Sequence, residues 1–195
     1  MPTKRPYLRA PDRRRQLLDA AGALFDRSGF GGITMAGTAT EAGVSRQLVY
    51  DHFGDVGTLC EAFVTDRLAR YRTGLPDISG LDADRATAAM FHHLVSIPAK
   101  DRRVVRLLVA DVGLPALDRI RRRFHDDELA RRPRASASVA SAADVERASA
   151  MLWVDTSALL ALADAVTNGE LSGAEATAIA VRIVRATSAA GPPPS

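Results

Sequence analysis

The chain has 195 residues, 47% hydrophobic and 25% charged, with a formal net charge of +3 and one cysteine. That length suits one ordinary domain, or a small domain joined to a larger one, with a core that needs no covalent staples. One cysteine excludes an internal disulfide, and the sequence lacks both a run of about 18 apolar residues and an apolar leader, so a cytoplasmic setting is expected.

Taken in chain order, the first 15 residues set Lys4, Arg5, Arg9, Arg13, Arg14 and Arg15 against one acid, Asp12. Such an arm suits phosphates, or serves as a solubilising tail. A first helix is expected from about Pro11, with Leu17, Leu18, Ala21, Leu24 and Phe25 on one face and Gly29 as a left-handed cap. Thr34 caps a short second helix that ends at Gly43. Ser45 caps a third, and Asp55 a fourth that carries Leu59, Cys60 and Phe63. Cys60 reads as a small buried hydrophobe.

"GLPDISG" (74–80) interrupts the helical pattern. A fifth helix spans about Asp82 to Ile97, with Pro98 as its stop, and a sixth starts at Asp101. Pro115 opens a seventh, highly charged helix with Phe124 on a thin apolar stripe and Arg123 paired to Asp127 one turn away. "RRPRASASVASAA" reads as a low-complexity loop. An eighth helix spans about Asp144 to Thr167, and Ser172 with Glu175 forms a capping box for the last. With no alternating strand pattern, the fold class is all-α with about nine helices.

Two short helices joined by a turn containing glycine, over residues 33–53, make a helix-turn-helix pattern. Ala39 lets the helices cross closely, Gly43 supplies positive φ, Val44 is a buried peg, and Val49 with Phe53 forms the inner face of the third helix. Ser45, Arg46, Gln47, Tyr50, Asp51 and His52 are left outward or sideways. Arg can pair with guanine and Gln with adenine in a major groove, while hydroxyls and first-turn amides suit phosphates. Asp51 could accept from a cytosine or restrain Arg46 or Arg70. An ordinary helical hairpin would share this pattern.

"ITMAGTATEAGVSRQLVYDHFGDVGTL" resembles the DNA-binding signature of the TetR family of bacterial transcription regulators. Thr34, Ala39, Ala42-Gly43-Val44-Ser45, Tyr50, His52-Phe53 and Leu59 carry the resemblance. "LLDAAGALFDRSGF" matches the family's first helix, and the likeness covers about residues 10–65. It implies a DNA-binding domain over residues 1–55 with its basic arm, a helical ligand-binding and dimerisation domain over 56–190, and a disordered tail over 191–195. It also implies a homodimer on a palindromic DNA operator, most simply a repressor released by an unidentified small-molecule effector that moves the fourth helix. Arg46 and Gln47 would read bases. Thr34, Ser45, Tyr50 and His52, with Lys4 and Arg5 in the arm, would hold phosphates.

Three departures from the family pattern stand out. Thr38 replaces an aliphatic residue, Gly37 lies mid-helix where glycine costs about 1 kcal/mol, and Val56-Gly57 replaces a Lys-Glu-like pair.

In the C-terminal domain, Phe63, Met90, Phe91, Leu94, Leu108, Met151, Leu152 and Trp153 are candidate pocket residues, or simply core. Asp111 and Asp155 lie in apolar runs and could meet a cationic or hydroxylated ligand. Leu152, Leu159, Ile179 and Ile183 are candidate dimer contacts. His92 and His93 point about 100° apart on a helix and read as two partly exposed side chains, and no metal or cofactor site is expected. No nucleophile, phosphate loop or acid–base pair is recognisable, so no catalytic residue is assigned and an enzyme is not expected. The remaining rival is a helix-turn-helix module that has lost DNA affinity.

Overall fold

A computed structural model of the chain describes residues 9–109, 115–131 and 142–189. Among the described residues there are nine α-helices, one 3-10 turn at Phe30–Gly32 and no strand. The helices are α1 (Ala10–Ser28), α2 (Met35–Ala42), α3 (Arg46–Phe53), α4 (Val56–Arg72), α5 (Ala83–Ser96), α6 (Ala99–Val109), α7 (Pro115–Arg131), α8 (Ala142–Thr167) and α9 (Gly173–Ala189). Lys4, Arg5, Asp111 and most of the low-complexity stretch lie outside the described residues.

Local chemistry explains where these helices start. The side chains of Thr34, Ser45, Asp55 and Asp82 accept from the amides of Gly37 (2.9 Å), Leu48 (3.2 Å), Thr58 (2.7 Å) and Arg85 (2.8 Å). Ser172 and Glu175 bond reciprocally, each accepting the other's amide, at 3.2 and 3.0 Å. Each cap satisfies an otherwise orphaned first-turn donor and contributes about 1 kcal/mol. Gly43 closes α2 in the left-handed region (φ 62, ψ 40). Gly29 also has positive φ, but its ψ of −163 takes the chain into an extended exit instead of the expected left-handed cap.

The chain divides into two compact units. One comprises residues up to Arg67 together with Pro115–Leu117, and the other is built from the rest. In the first unit, Phe25 packs between Phe30 and Phe63 with ring centroids 5.0 and 5.1 Å apart. Leu17, Val49, Leu59 and Val64 complete a core closed to solvent. Arg67 is buried there with its guanidinium 5.3 Å over the Phe63 ring. Gly22 makes room for it, since a Cβ at that position would stand 2.5 Å from Arg67 Nη2. Cys60 is buried as expected, and burial pushes its thiol up to about 11. Little thiolate then exists at neutral pH. The native protein is expected to resist a thiol-specific chromogenic reagent at pH 8 and to release one equivalent on unfolding in guanidinium. Rapid native labelling would contradict this burial.

In the second unit, α5, α6, α8 and α9 pack around Phe91, Leu94, Val104, Val105, Leu108 and Leu160. The largest buried side chain is polar. Arg102 donates from Nη1 to the carbonyls of Leu94 (3.2 Å) and Ile97 (2.7 Å), from Nε to Asp164 (3.0 Å) and from Nη2 to the Thr167 hydroxyl (2.6 Å). It therefore satisfies the carbonyl end of α5 and joins α6 to α8. His93 is buried, not partly exposed as expected, and its Nε2 stands 2.7 Å from the Tyr71 carbonyl. A carbonyl only accepts, so Nε2 carries the proton. His92 is the exposed member of the pair. Asp127 pairs with Arg72, an ion pair not anticipated from the spacing of Arg123. Against expectation, one segment, Glu146–Thr167 of α8, is long and apolar enough to cross a membrane by length and composition. Within its unit it buries Leu152, Asp155, Leu160 and Ala163.

Candidate nucleic-acid interface and effector cavity

The candidate reading surface is built from α2 and α3. Ala39 is 2% exposed at their crossing, and Val49 and Phe53 turn inward on α3. Val44 is half-buried, a shallower peg than expected. The Val44 amide bonds the Ala39 carbonyl at 2.9 Å and so fixes the turn. Helix α1 holds the pair from behind. Gln16 donates to the Ala42 carbonyl (2.9 Å), Arg27 pairs with Glu41 (2.5 Å), and Arg14 lies 5.0 Å over the Phe53 ring. Glu41 is held below the ordinary carboxylate range by the hydrogen bond from Arg27.

With that inner face fixed, the opposite face of α3 is dictated. Ser45, Arg46, Gln47, Tyr50 and Asp51 are exposed, and His52 is half-buried. Thr34 is exposed at the start of α2. Asp51 accepts a hydrogen bond from Gln47 Nε2 at 2.8 Å, so its partner is Gln47 and not Arg46 or Arg70. That bond leaves the Gln47 carbonyl oxygen and its second N–H unspent, which is the pair that matches adenine N6 and N7.

The three departures in this region now have physical readings. Gly37 lies in the first turn of an unbroken α2, where a Cβ would come within 2.8 Å of Thr34 Oγ1 and 3.3 Å of Leu24 Cδ1. Glycine there preserves the Thr34 cap, and it stands in the first turn of α2 instead of mid-helix. Val56 opens α4 with 43% exposure, an apolar residue beside the Asp55 cap. Hydrogen bonds from the Thr58 amide and side chain hold Asp55 below the ordinary aspartate range. Thr38 is fully buried, and its hydroxyl has no hydrogen-bond partner. Thr38→Val removes that cost while keeping the shape, and is expected to raise stability by about 1 kcal/mol in urea titration. A loss of stability would show that the hydroxyl is engaged after all.

The second unit holds a cavity of about 140 Å³. Its apolar wall comes from Ile78, Ala83, Ala86, Met90, Leu94, Leu152, Leu159 and Val184. Its polar groups are Tyr71, Thr87, Glu128, Arg131, Asp155, Thr156 and Ser188. Three of the sequence-derived pocket candidates, Met90, Leu94 and Leu152, line it, as does Asp155. Leu152 and Leu159, singled out as dimer contacts, line it too, at 5% and 8% exposure. Phe91 and Leu108 are core side chains, and Phe63 belongs to the core of the first unit. Trp153 stacks with His125 at 4.9 Å and lies under Arg121 at 5.1 Å, away from the cavity; Met151 is half-buried and does not line it. Ile179 and Ile183 are half-buried on α9.

The sequence reading missed Tyr71, Glu128 and Thr187. The Thr187 hydroxyl donates to Asp155 Oδ1 at 2.8 Å. Burial, then the charge of Glu128, pushes the Tyr71 hydroxyl far above its ordinary range, so it is a neutral hydrogen-bonding group at any working pH. Among the described residues, no three His, Cys, Asp or Glu side chains gather as metal ligands.

An exposed polar α3 packed through its inner face on α1 and α2 has the geometry of a helix-turn-helix domain. Residues 17–62 match the profile of the bacterial regulatory proteins of the tetR family. Over that segment the chain is similar to the bacterial regulatory proteins of the tetR family. Solved structures with the same fold include a TetR-like transcriptional regulator from Rhodococcus sp. RHA1 (TM-score 0.68, 19% identity, covering 94% of this chain and 100% of that one). A TetR-family member from Streptomyces coelicolor A3 is similar at TM-score 0.61 and 20% identity over 89% of this chain and 98% of that one. The multidrug binding protein EbrR, solved with imidazole, is similar at TM-score 0.57 and 20% identity over 89% and 90%. No curated protein matches the sequence.

Proposed function

We propose that this chain is a ligand-responsive repressor that binds a palindromic operator as a homodimer in the cytoplasm and is released by a small-molecule effector. The observation that carries the reading is the exposed Arg46, Gln47 and Tyr50 face of α3 on a tightly held inner face. Arg46 and Gln47 read base edges, and Thr34, Ser45, Tyr50 and His52 hold flanking phosphates, with Lys4 and Arg5 of the arm beside them. Two reading heads in a dimer must enter successive major grooves about 34–36 Å apart. The effector occupies the cavity of the second unit, which Tyr71 at the end of α4 helps to line. An effector that favours another head spacing disfavours DNA by the same coupling free energy. Ile179 and Ile183 on α9 supply dimer contacts. The chain has no catalytic role in this scheme.

Fluorescence anisotropy with DNA from upstream of its own coding region tests the proposal. Expected are sequence-specific binding, a steep loss as salt rises, and a footprint with two-fold symmetry. A folded dimer without specific binding at moderate salt would leave only the interaction-module alternative.

A further inference from the structure

We propose that the cavity of the second unit takes an uncharged, compact alcohol or phenol, with one hydroxyl on a single small apolar body. The inference rests on the reading that this cavity receives the effector, and it adds the ligand's class and size.

The neutrality follows from how the charged groups of the lining are already engaged. Asp155 is 2% exposed, accepts from the Thr187 hydroxyl at 2.8 Å and has further interactions with its neighbours. Glu128 is buried and likewise interacts within the protein. Arg131 follows Glu128 by one turn of α7, and the two charges act on the Tyr71 hydroxyl in opposite senses. Both signs of charge therefore line one small cavity. A cation drawn to a carboxylate is repelled by Arg131, and an anion drawn to Arg131 is repelled by the carboxylates. Either ion also loses its water on entry, a cost that only a close, dedicated partner offsets. An uncharged ligand avoids that cost and leaves the existing contacts intact.

The hydroxyl follows from the other polar groups. Thr87 lines the cavity but spends its hydroxyl proton on the Ala83 carbonyl at 2.8 Å. Tyr71, Thr156 and Ser188 bring further hydroxyls, of which that of Tyr71 belongs to a buried residue. A hydroxyl both donates and accepts, so a ligand hydroxyl can pair with Tyr71 in either sense. The remaining wall is aliphatic, including Met90, Leu94, Leu152 and Leu159, and is matched by an apolar body.

The size follows from the volume. At about 140 Å³ the cavity is close to an engineered cavity of about 150 Å³ that accommodates benzene. It suits one ring or a short branched chain.

Titration calorimetry on the full-length protein tests this with five probes of similar shape: benzyl alcohol, phenol, toluene, benzylammonium and benzoate. Benzyl alcohol and phenol are expected to bind saturably, at least about tenfold tighter than either ion. Tyr71→Phe keeps the ring contacts with His93 and Phe124 and removes only the hydroxyl. It should weaken benzyl alcohol about three- to tenfold and leave toluene unchanged, with circular dichroism checking the helical fold. The comparison among probes on the unaltered protein does not depend on that variant folding. Binding of benzylammonium or benzoate as tight as that of benzyl alcohol would overturn the proposal, and so would the absence of saturable binding by both hydroxyl probes. An equal effect of Tyr71→Phe on benzyl alcohol and toluene would overturn the pairing of the ligand hydroxyl with Tyr71. A separate arm adds each probe to the protein–DNA complex. Binding of benzyl alcohol without release of DNA would refute the effector reading while the ligand class stands. Release by benzylammonium or benzoate alone would refute the ligand class while the effector reading stands.

Discussion

Arg102→Met is expected to lower the stability of the protein by about 3–5 kcal/mol, the cost of removing one partner from a buried charge network. Arg102 is 1% exposed, and its donors reach two carbonyls at the end of α5, a carboxylate and a hydroxyl. Methionine keeps much of the apolar stem but none of the donors. The Leu94 and Ile97 carbonyls then lose a buried partner, and each such group costs about 1–3 kcal/mol when left unmade. Arg102→Lys should recover only part of the loss, because an ammonium cannot reproduce the planar fork that spans these acceptors. Urea titration at fixed protein concentration checks both variants, since dimerisation would otherwise shift the midpoint. A change under about 1 kcal/mol for the methionine variant would mean that water or a neighbouring chain satisfies those acceptors.

The same network gives stability a dependence on acid. Burial pushes the Asp164 carboxyl up, but hydrogen bonds from Arg106 (2.5 Å) and Arg102 (3.0 Å) outweigh it and hold the group below the ordinary aspartate range. A depressed carboxyl contributes stability that is fully present above its unfolded value, about 3.9, and is lost as pH falls through the lower folded value. Asp164→Asn should therefore flatten the acid limb of a stability-versus-pH curve and leave the neutral-to-alkaline limb parallel to that of the unaltered protein. An unchanged acid limb would show that other carboxylates govern it.

How much was legible in the sequence depended on the distance along the chain over which each contact acts. The caps at Thr34, Ser45, Asp55 and Ser172 bond three residues away, so spacing alone revealed them. The helix-turn-helix is built from such local pieces and was readable throughout. The Arg102 clasp joins residues 62 and 65 positions apart, and Arg72 finds Asp127 across 55. No periodicity encodes those pairings. The cavity was half legible for a related reason. Met90 and Leu94 are one turn apart and face it together, whereas Phe91 is rotated about 100° from Met90 into the core. Which face of α5 meets the cavity is decided by the helices packed around it.

Arg46→Ala is expected to weaken operator binding by about 1–3 kcal/mol, and to relax preference at one base position in each half-site. Arg46 is exposed on α3, so its removal leaves the buried Val49 and Phe53 face of that helix untouched. Asp51→Ala offers the sharper contrast. Asp51 holds Gln47 Nε2 at 2.8 Å and also carries a negative charge on the face proposed to meet DNA. Removing it frees Gln47 to wander, so discrimination at the Gln47 position falls. Removing the charge also lessens repulsion from phosphates, so affinity for random DNA rises. Arg46→Ala should instead lower affinity for random DNA, because it deletes a cation. Measuring both variants on operator and on scrambled DNA across a salt series separates these effects. Equal losses on operator and scrambled DNA for Arg46→Ala would make Arg46 a phosphate contact. An unchanged ratio of operator to scrambled affinity for Asp51→Ala would mean that the Gln47–Asp51 bond breaks on binding and orients nothing.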